Sequence, residues 1–547
     1  MTSYDFIIVG AGSSGSVLAD RLSRDGKFSV LVIEAGGKND SLFHRIPRGM
    51  LKLWQDPRFF WSFPVKDNPK RPAGETWFYG KGLGGSSSVN GTWYFRGQPK
   101  DYDQWNERSQ GLWNWREIER CYRAFEDYAE DGASDSRGKG GPVQITQIKD
   151  HSVFTQAVLD AGAQLGLPVL TDINQPGTTG IGQTQMTVDR RGERVSGYSA
   201  FLARAMKRSN VTVLCHMHVK RVVIEGGCAT GVICDAGDGK EQIYRADREV
   251  IVSAGVMQSP KLLQLSGIGP AALLQRHGIA VSVANDHVGR HLSEHMMMAL
   301  SYRLKRVSGH NREFKGMRLI LNTLRYFIKR TGPMSYTLPE TSAMASSTQE
   351  NDWPDIQIGV SPYSMVTSSS DKPEAGRGET ENEPGVTIAG FYLRPHSEGT
   401  VKIASADPAV APLVDANWFG DSRDQDAARR LFDMLRRFMA QPALASFVGA
   451  ETVPGAQTQT DDEIERAICW LLSPGLHGTG TCRMGNAHDS VVDGRLRVHG
   501  VANLRVVDCS AMPTTVSGNT NGPAMALAWR AAELIAEDAA GGSLTSG

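Results

Sequence analysis

The chain has no excess charge of either sign: 59 Lys and Arg stand against 59 Asp and Glu. That balance supplies no basic field to draw a polyanion, so nucleic acid is not expected as a partner. Peripheral membrane contact is left open. Cysteine is sparse and unpaired in pattern. The seven (Cys121, Cys215, Cys228, Cys234, Cys469, Cys482, Cys509) are odd in number and contain no C-x-x-C, which argues against a disulfide framework or a zinc ribbon. They read as reduced, mostly buried thiols of a cytosolic protein. No apolar run is long enough to span a bilayer. The first strand begins almost at Met1, which leaves no room for a basic-then-apolar leader, and the expected location is cytoplasmic. There are no internal repeats. At 547 residues the chain exceeds one core of ordinary size, and two domains are expected.

The densest information lies between Tyr4 and Gly37. Phe6 to Val9 is an apolar run that reads as a buried strand. The loop Gly10-Ala11-Gly12-Ser13-Ser14-Gly15 follows at once. Val17, Leu18 and Leu22 then recur at helical spacing, and Ser29 to Ile33 is a second strand ending on Glu34. In a G-x-G-x-x-G turn the first glycine permits the bend, the second lets a pyrophosphate approach the backbone, and the third packs helix on strand. The helix start offers unpaired N–H groups to the phosphates. Glu34 stands where a carboxylate would accept from a ribose 2′-OH, with Ala35 beside it. Strand, turn, helix and acid together point to dinucleotide binding, without choosing between NAD and FAD.

Residues 38 to 79 are rich in proline and aromatics and show little periodicity, so they read as an excursion and not a second βαβ unit. Gly80 to Asn90 is a glycine- and serine-rich run suited to lying against a ligand. It contains Gly84, Ser87 and Asn90, and Trp93-Tyr94-Phe95 follow directly, which excludes a flexible linker.

The run from Gly80 through Asn90 to Asp103, together with Gly255-Val256-Met257-Gln258-Ser259-Pro260 and its continuation to Gly269, resembles two signatures of the glucose–methanol–choline (GMC) oxidoreductases. The resemblance covers nearly the whole chain, with a departure at Val256, where a small residue is usual. It implies an α/β fold: a Rossmann-like FAD-binding domain, and a substrate-binding domain built on an antiparallel sheet flanked by helices. The expected division is 1–150, 205–295 and 478–547 for the first, and 151–204 and 296–477 for the second. The resemblance puts Val219 at the adenine and Asp508 at the ribityl or phosphate region, and Thr520 among the cofactor-binding residues.

His477 stands in His477-Gly478-Thr479-Gly480-Thr481. Judged alone, a structural histidine is the commoner case. The resemblance makes it the catalytic base, paired with Asn519, whose amide binds the substrate oxygen but is no base at neutral pH. Asn521 is the rival for that pairing, or a helix cap, with Pro523 at the first helical position. Pro260 is likewise expected in the first turn of its helix. Val89 stands where some relatives carry a histidine bonded to the flavin, so the FAD is expected to be non-covalent. His291, Glu294 and His295 read as satisfied turn residues and not a metal site.

The implied activity is oxidation of an alcohol CH–OH to an aldehyde or ketone, an EC 1.1 reaction. The electron acceptor is oxygen or an artificial or quinone-type acceptor. No acid cluster argues for a cationic alcohol, and Met334, Tyr336, Met344, Tyr363 and Met365 favour an apolar or aromatic one. A cyanohydrin lyase on the same scaffold, a nicotinamide enzyme, and a non-catalytic flavin-binding protein are the alternatives. The sequence leaves the oligomeric state undetermined. The polar run from 364 to 384 reads as a surface loop or lid.

Overall fold

The computed structural model describes residues 3–541 apart from 72–73, 129, 131–134, 149–151, 236, 238–239, 338, 349–352 and 366–379. Two large sheets organise it, each with its own buried apolar cluster.

The first sheet is built outward from Ser3–Val9. This strand pairs in parallel with Val30–Ile33 on one side and Glu241–Val252 on the other. Val211–Leu214 lies parallel beyond Val30–Ile33, and Leu504–Val506 runs parallel to Val250–Val252. Cys228–Asp235 and His218–Glu225 continue the sheet antiparallel. Phe6, Ile7, Ile8 and Val30 to Val32 are wholly buried, as expected of parallel strands covered on both faces. The helices Ser13–Leu22 and Asn521–Gly541 pack against each other on this sheet, so the two ends of the chain meet at the glycine loop. This is the Rossmann-like arrangement that the sequence implied.

The second sheet runs in the order Val448–Val453, Met296–Leu304, Gly385–Tyr392, Ile356–Ser361, Thr341–Ala345, Gly180–Gln183 and Val169–Leu170. It is antiparallel except at its last pair. The helix Arg423–Met439 covers it, burying Leu431, Phe432, Leu435 and Phe438. In the sequence, 355–360 and 386–394 read as strands, and the structure has Ile356–Ser361 and Gly385–Tyr392. Met296–Leu304, central to the sheet, carries no alternation that would mark it in the sequence.

Three local readings need correction. Pro260 does not begin its helix: the helix is Gly255–Leu265, and Pro260 is interior to it. A proline there cannot donate to the Val256 carbonyl. The Thr481 hydroxyl donates to that oxygen instead, at 2.7 Å, so the helix runs on. Pro523 does not open the last helix either, because the helix starts two residues earlier, at Asn521. Asn521 is thus not its cap, and its Oδ1 accepts from Ser13 Oγ at 2.8 Å. Of the expected loop at 364–384, positions 366–379 lie outside the described residues.

Candidate active site

A cavity of about 1750 Å³ lies between the two sheets, reached by residues of both. Single small-molecule pockets hold about 300–1,000 Å³, so there is room for a dinucleotide and a substrate together.

The glycine loop forms one wall. Gly12 precedes the first helix, whose N-terminus has no side-chain cap, and a Cβ on Gly12 would meet nothing within 4 Å. The helix-start N–H groups and this open space fit a pyrophosphate. Gly10 (φ +100°) makes the bend. At Gly15 a Cβ would sit 1.9 Å from the Gly10 carbonyl oxygen, so only glycine fits. Ser13 and Ser14 line the cavity, and their hydroxyls tie the loop to Asn521 and to the Ala524 carbonyl. The Glu34 carboxylate accepts from three backbone amides, those of Ala11, Gly36 and Gly82, at 2.8 to 3.0 Å. A carboxylate has about four lone-pair sites, which leaves capacity for a ribose hydroxyl. Ala35 and Val219 also line the cavity, and the strand pairing slips one residue just after Val219. These residues fit an FAD.

The serine-rich run forms the next wall. Gly84 is left-handed (φ +86°) and leads into the short turn Gly85–Ser88. Ser87 Oγ donates to the Gly84 carbonyl and accepts from Gly197 N–H. Asn90 Oδ1 accepts from Arg194. Arg194 is a feature that sequence reasoning did not single out. It is buried, no carboxylate pairs with it among the described residues, and desolvation lowers its pKa to about 9.

Asp508 lines the cavity, with its carboxylate engaged by the loop and the helix start. Its Oδ2 accepts from Gly255 N–H and Ser259 Oγ, and its Oδ1 from Ser510 N–H and Oγ. All its acceptor sites are used, so it holds the loop and the helix start together and has none left for a ribityl hydroxyl. Thr520 lines the cavity one residue before the last helix.

His477 and Asn519 are brought together. The segment 293–296 pairs antiparallel with 473–479: Ser293 and Thr479 exchange backbone hydrogen bonds, and Gly475 N–H donates to the His295 carbonyl. This ladder sets His477 opposite Glu294 and His295, residues expected to be ordinary turn positions. Leu476 is left-handed (φ +59°), a strained state for a leucine, and next to it the His477 N–H meets both Glu294 oxygens at 2.8 and 3.1 Å. Burial raises the Glu294 pKa to about 8. Gly475 leaves the imidazole its space, since a Cβ there would lie 2.9 Å from His477 Nδ1. His291 points away from this group, bonding Glu398 and His287.

Both nitrogens of His477 are engaged. Asn519 Nδ2 lies 2.8 Å from Nε2, and His295 Nδ1 lies 3.0 Å from Nδ1. Gln357 Nε2 donates to Asn519 Oδ1 at 3.0 Å, which turns the Asn519 NH₂ toward His477. An NH₂ can only donate, so with both amides assigned this way Nε2 is the lone-pair nitrogen. Nδ1 then carries the proton and donates to His295. His295 carries its own proton on Nε2, beside the Val516 backbone but without a bond of good geometry. Burial lowers the His477 pKa to about 3 and holds His295 well below its usual value, His477 adding to the effect. The pair is neutral at ordinary pH, with an unprotonated Nε2 at the cavity. Gln357 carries no motif and was not legible in the sequence, and His295 read only as a turn residue, because both come from segments far from His477.

A family model described as GMC oxidoreductase matches residues 4–297, and its C-terminal counterpart matches 395–528. This chain is a GMC oxidoreductase. The enzyme is 35% identical over 541 residues to an oxygen-dependent choline dehydrogenase of Photobacterium profundum, covering 98% of this chain and 93% of the relative. Among solved structures it resembles the pyridoxine 4-oxidase of Mesorbium loti (TM-score 0.84, 28% identity, 97% and 98% of the two chains). It also resembles a formate oxidase variant of Aspergillus oryzae RIB40, studied for its FAD modification (TM-score 0.89, 26% identity, 98% of each chain). The GMC enzyme is thus an FAD-dependent oxidoreductase of the alcohol-oxidising EC 1.1 class, and the lyase, nicotinamide and non-catalytic alternatives are not favoured. No helix among its described residues is long and apolar enough to cross a membrane.

Proposed function

We propose that the enzyme oxidises a neutral apolar or aromatic alcohol, with His477 Nε2 taking the hydroxyl proton and Asn519 holding the oxygen. The observation that carries this reading is the chain of contacts from Gln357 through Asn519 and His477 to His295 at the cavity, whose donor order leaves Nε2 without a proton. Bound FAD supplies the acceptor for the hydride that leaves the same carbon. The residues proposed to hold it are Gly10, Gly12, Ser13, Ser14, Gly15, Glu34, Ala35, Gly84, Ser87, Asn90, Val219 and Thr520, with Asp508 bracing the loop.

The hydroxyl enters between Nε2 and the Asn519 NH₂. Proton transfer to Nε2 leaves the imidazole cationic, and the developing charge on the substrate oxygen stays beside the Asn519 donor. His295 Nδ1 accepts from Nδ1–H and so stabilises the imidazolium. Phe391, its ring 5.6 Å from that of His477, and Trp93 wall the position off from water.

The acids lining the cavity are already engaged. Glu34 holds three amides, Asp508 is saturated, and Glu75 pairs with Arg71 and accepts from Trp77 and Trp418. That supports a neutral substrate. A quaternary ammonium alcohol is the second reading. It is suggested by the choline dehydrogenases among the relatives and by aromatic rings that can hold a cation.

His477→Ala tests the reading. The protein should stay folded and yellow, and flavin reduction by alcohol should slow by roughly 10²–10⁴-fold, the usual contribution of a general base. Reduction near the wild-type rate would remove His477 from the mechanism.

A further inference from the structure

The helix Gly316–Lys329 is built inside out. A surface helix normally turns its apolar stripe to the core. Here Asn322 and Tyr326, one turn apart, are the buried residues of the helix. Asn322 Nδ2 donates to the Glu313 carbonyl and carboxylate, and Tyr326 OH donates to the Gly192 carbonyl. The opposite face carries Met317, Ile320, Leu321, Leu324, Phe327 and Ile328, all exposed, with Ile328 at 77% and Met317 at 68%. Their spacing makes one stripe along about 18 Å of helix. Six such side chains form an apolar patch on the order of several hundred Å², which a monomer rarely leaves in water.

The charge beside the stripe chooses the occupant. Phe314 to Arg330 contains no Asp or Glu but has Lys315, Arg318, Arg325, Lys329 and Arg330. Arg318 pairs with Glu313 just outside this stretch and Arg330 with Glu193, at 2.8 and 3.3 Å, which leaves a smaller local excess in a chain that is neutral as a whole. Arg318, Arg325 and Lys329 lie together on one flank of the apolar stripe, as the helical repeat of 3.6 residues requires. A second copy of the chain docked antiparallel, by a two-fold perpendicular to the helix, would set these cations beside their own counterparts. Fourteen residues also fall short of the ~30 Å hydrocarbon core. An apolar face flanked by cations, on a helix too short to span, is the form that lies in the plane of a membrane interface.

We propose that Gly316–Lys329 docks this enzyme onto an anionic lipid surface, with the apolar stripe in the headgroup–acyl boundary and the basic flank against acidic headgroups. The segment leading into the helix is tied to the cavity wall: Arg48 lies over the rings of Phe314 and Tyr363, at 4.1 and 4.8 Å, and Tyr363 lines the cavity.

The test is co-sedimentation of the FAD-loaded protein with vesicles of phosphatidylcholine alone and with vesicles of which roughly one-third is phosphatidylglycerol, whose negative surface attracts basic segments. The expected result is binding to the acidic vesicles that weakens as salt screens the cations. It should fall at least ~10-fold in Leu324→Glu/Ile328→Glu, whose two side chains add charge within the stripe. Both sites are exposed, so flavin content and alcohol activity in solution should be unchanged. Wild-type protein left in the supernatant with acidic vesicles would overturn the proposal. So would a variant that sediments like wild type. So would a wild-type dimer, seen by light scattering, that the variant converts to monomer while neither binds vesicles, because the stripe would then be covered by a second copy.

Discussion

Gln357→Met examines the proton arrangement without touching the substrate. Gln357 is fully buried on its strand and lies behind Asn519, outside the residues that line the cavity. Methionine has similar length and no polar donor, so the packing should survive. What is lost is the donor on Asn519 Oδ1, at 3.0 Å in the native site. An unpaired buried acceptor costs about 1–3 kcal/mol. The Asn519 amide can carry that cost, or it can turn over and present Oδ1 to His477. Oδ1 only accepts, so the turned amide selects the tautomer with the proton on Nε2, which is no base toward the cavity. Either way the preference for the competent arrangement falls by ~1–3 kcal/mol, which slows the rate by up to about 5- to 150-fold. Anaerobic stopped-flow absorbance of the flavin measures this directly. The limiting rate of reduction should fall by that factor while the alcohol dissociation constant moves by less than about threefold. A limiting rate within about twofold of wild type would refute the reasoning, as would a loss confined to substrate affinity.

Two further outcomes follow from the site. Burial lowers the His477 pKa to about 3, and protonation of Nε2 abolishes the base. The limiting rate of flavin reduction should therefore show no step near the ordinary histidine value of about 6.5 and should fall only as the pH approaches 3; a step between pH 6 and 7 assigned to His477 would contradict the burial argument. Val89 lines the cavity without a nucleophilic atom, and burial pushes the nearby Cys509 thiol up to about 12, far from a thiolate. Acid precipitation should leave the yellow colour in the supernatant; colour in the pellet would show a covalent flavin.

The cofactor side of the molecule is largely legible in the sequence because its physics is local. Gly10, Gly12 and Gly15 act within one turn, and Glu34 follows within one βαβ unit. The catalytic pair is legible only through resemblance. The orientation of His477 depends on Glu294 and His295, which a ladder between strands some 180 residues apart delivers, and on Gln357 from a third segment. No periodicity or spacing encodes such meetings. Asp508 reads as a cofactor ligand because its place in the sequence fits one, but its carboxylate accepts from four internal donors arriving from two segments. Pro260 reads as a helix start because the residue that accommodates it inside the helix, Thr481, is remote in sequence. In the sequence Met317 to Ile328 reads as a helix, but the direction its apolar face turns is not legible, since a helical repeat looks the same whether the stripe meets a core or faces outward.

The central claim is that a neutral alcohol gives its proton to His477 and its hydride to FAD. The most direct measurement is an anaerobic titration of the yellow protein with a panel of primary and secondary alcohols, aliphatic, aromatic and cationic, followed by air. The account predicts that apolar or aromatic alcohols bleach the oxidised-flavin absorbance of the wild type and leave His477→Ala unbleached over the same time, with the speed of recovery in air separating oxygen from another acceptor. Bleaching of the variant as fast as the wild type, or bleaching by choline alone, would contradict it.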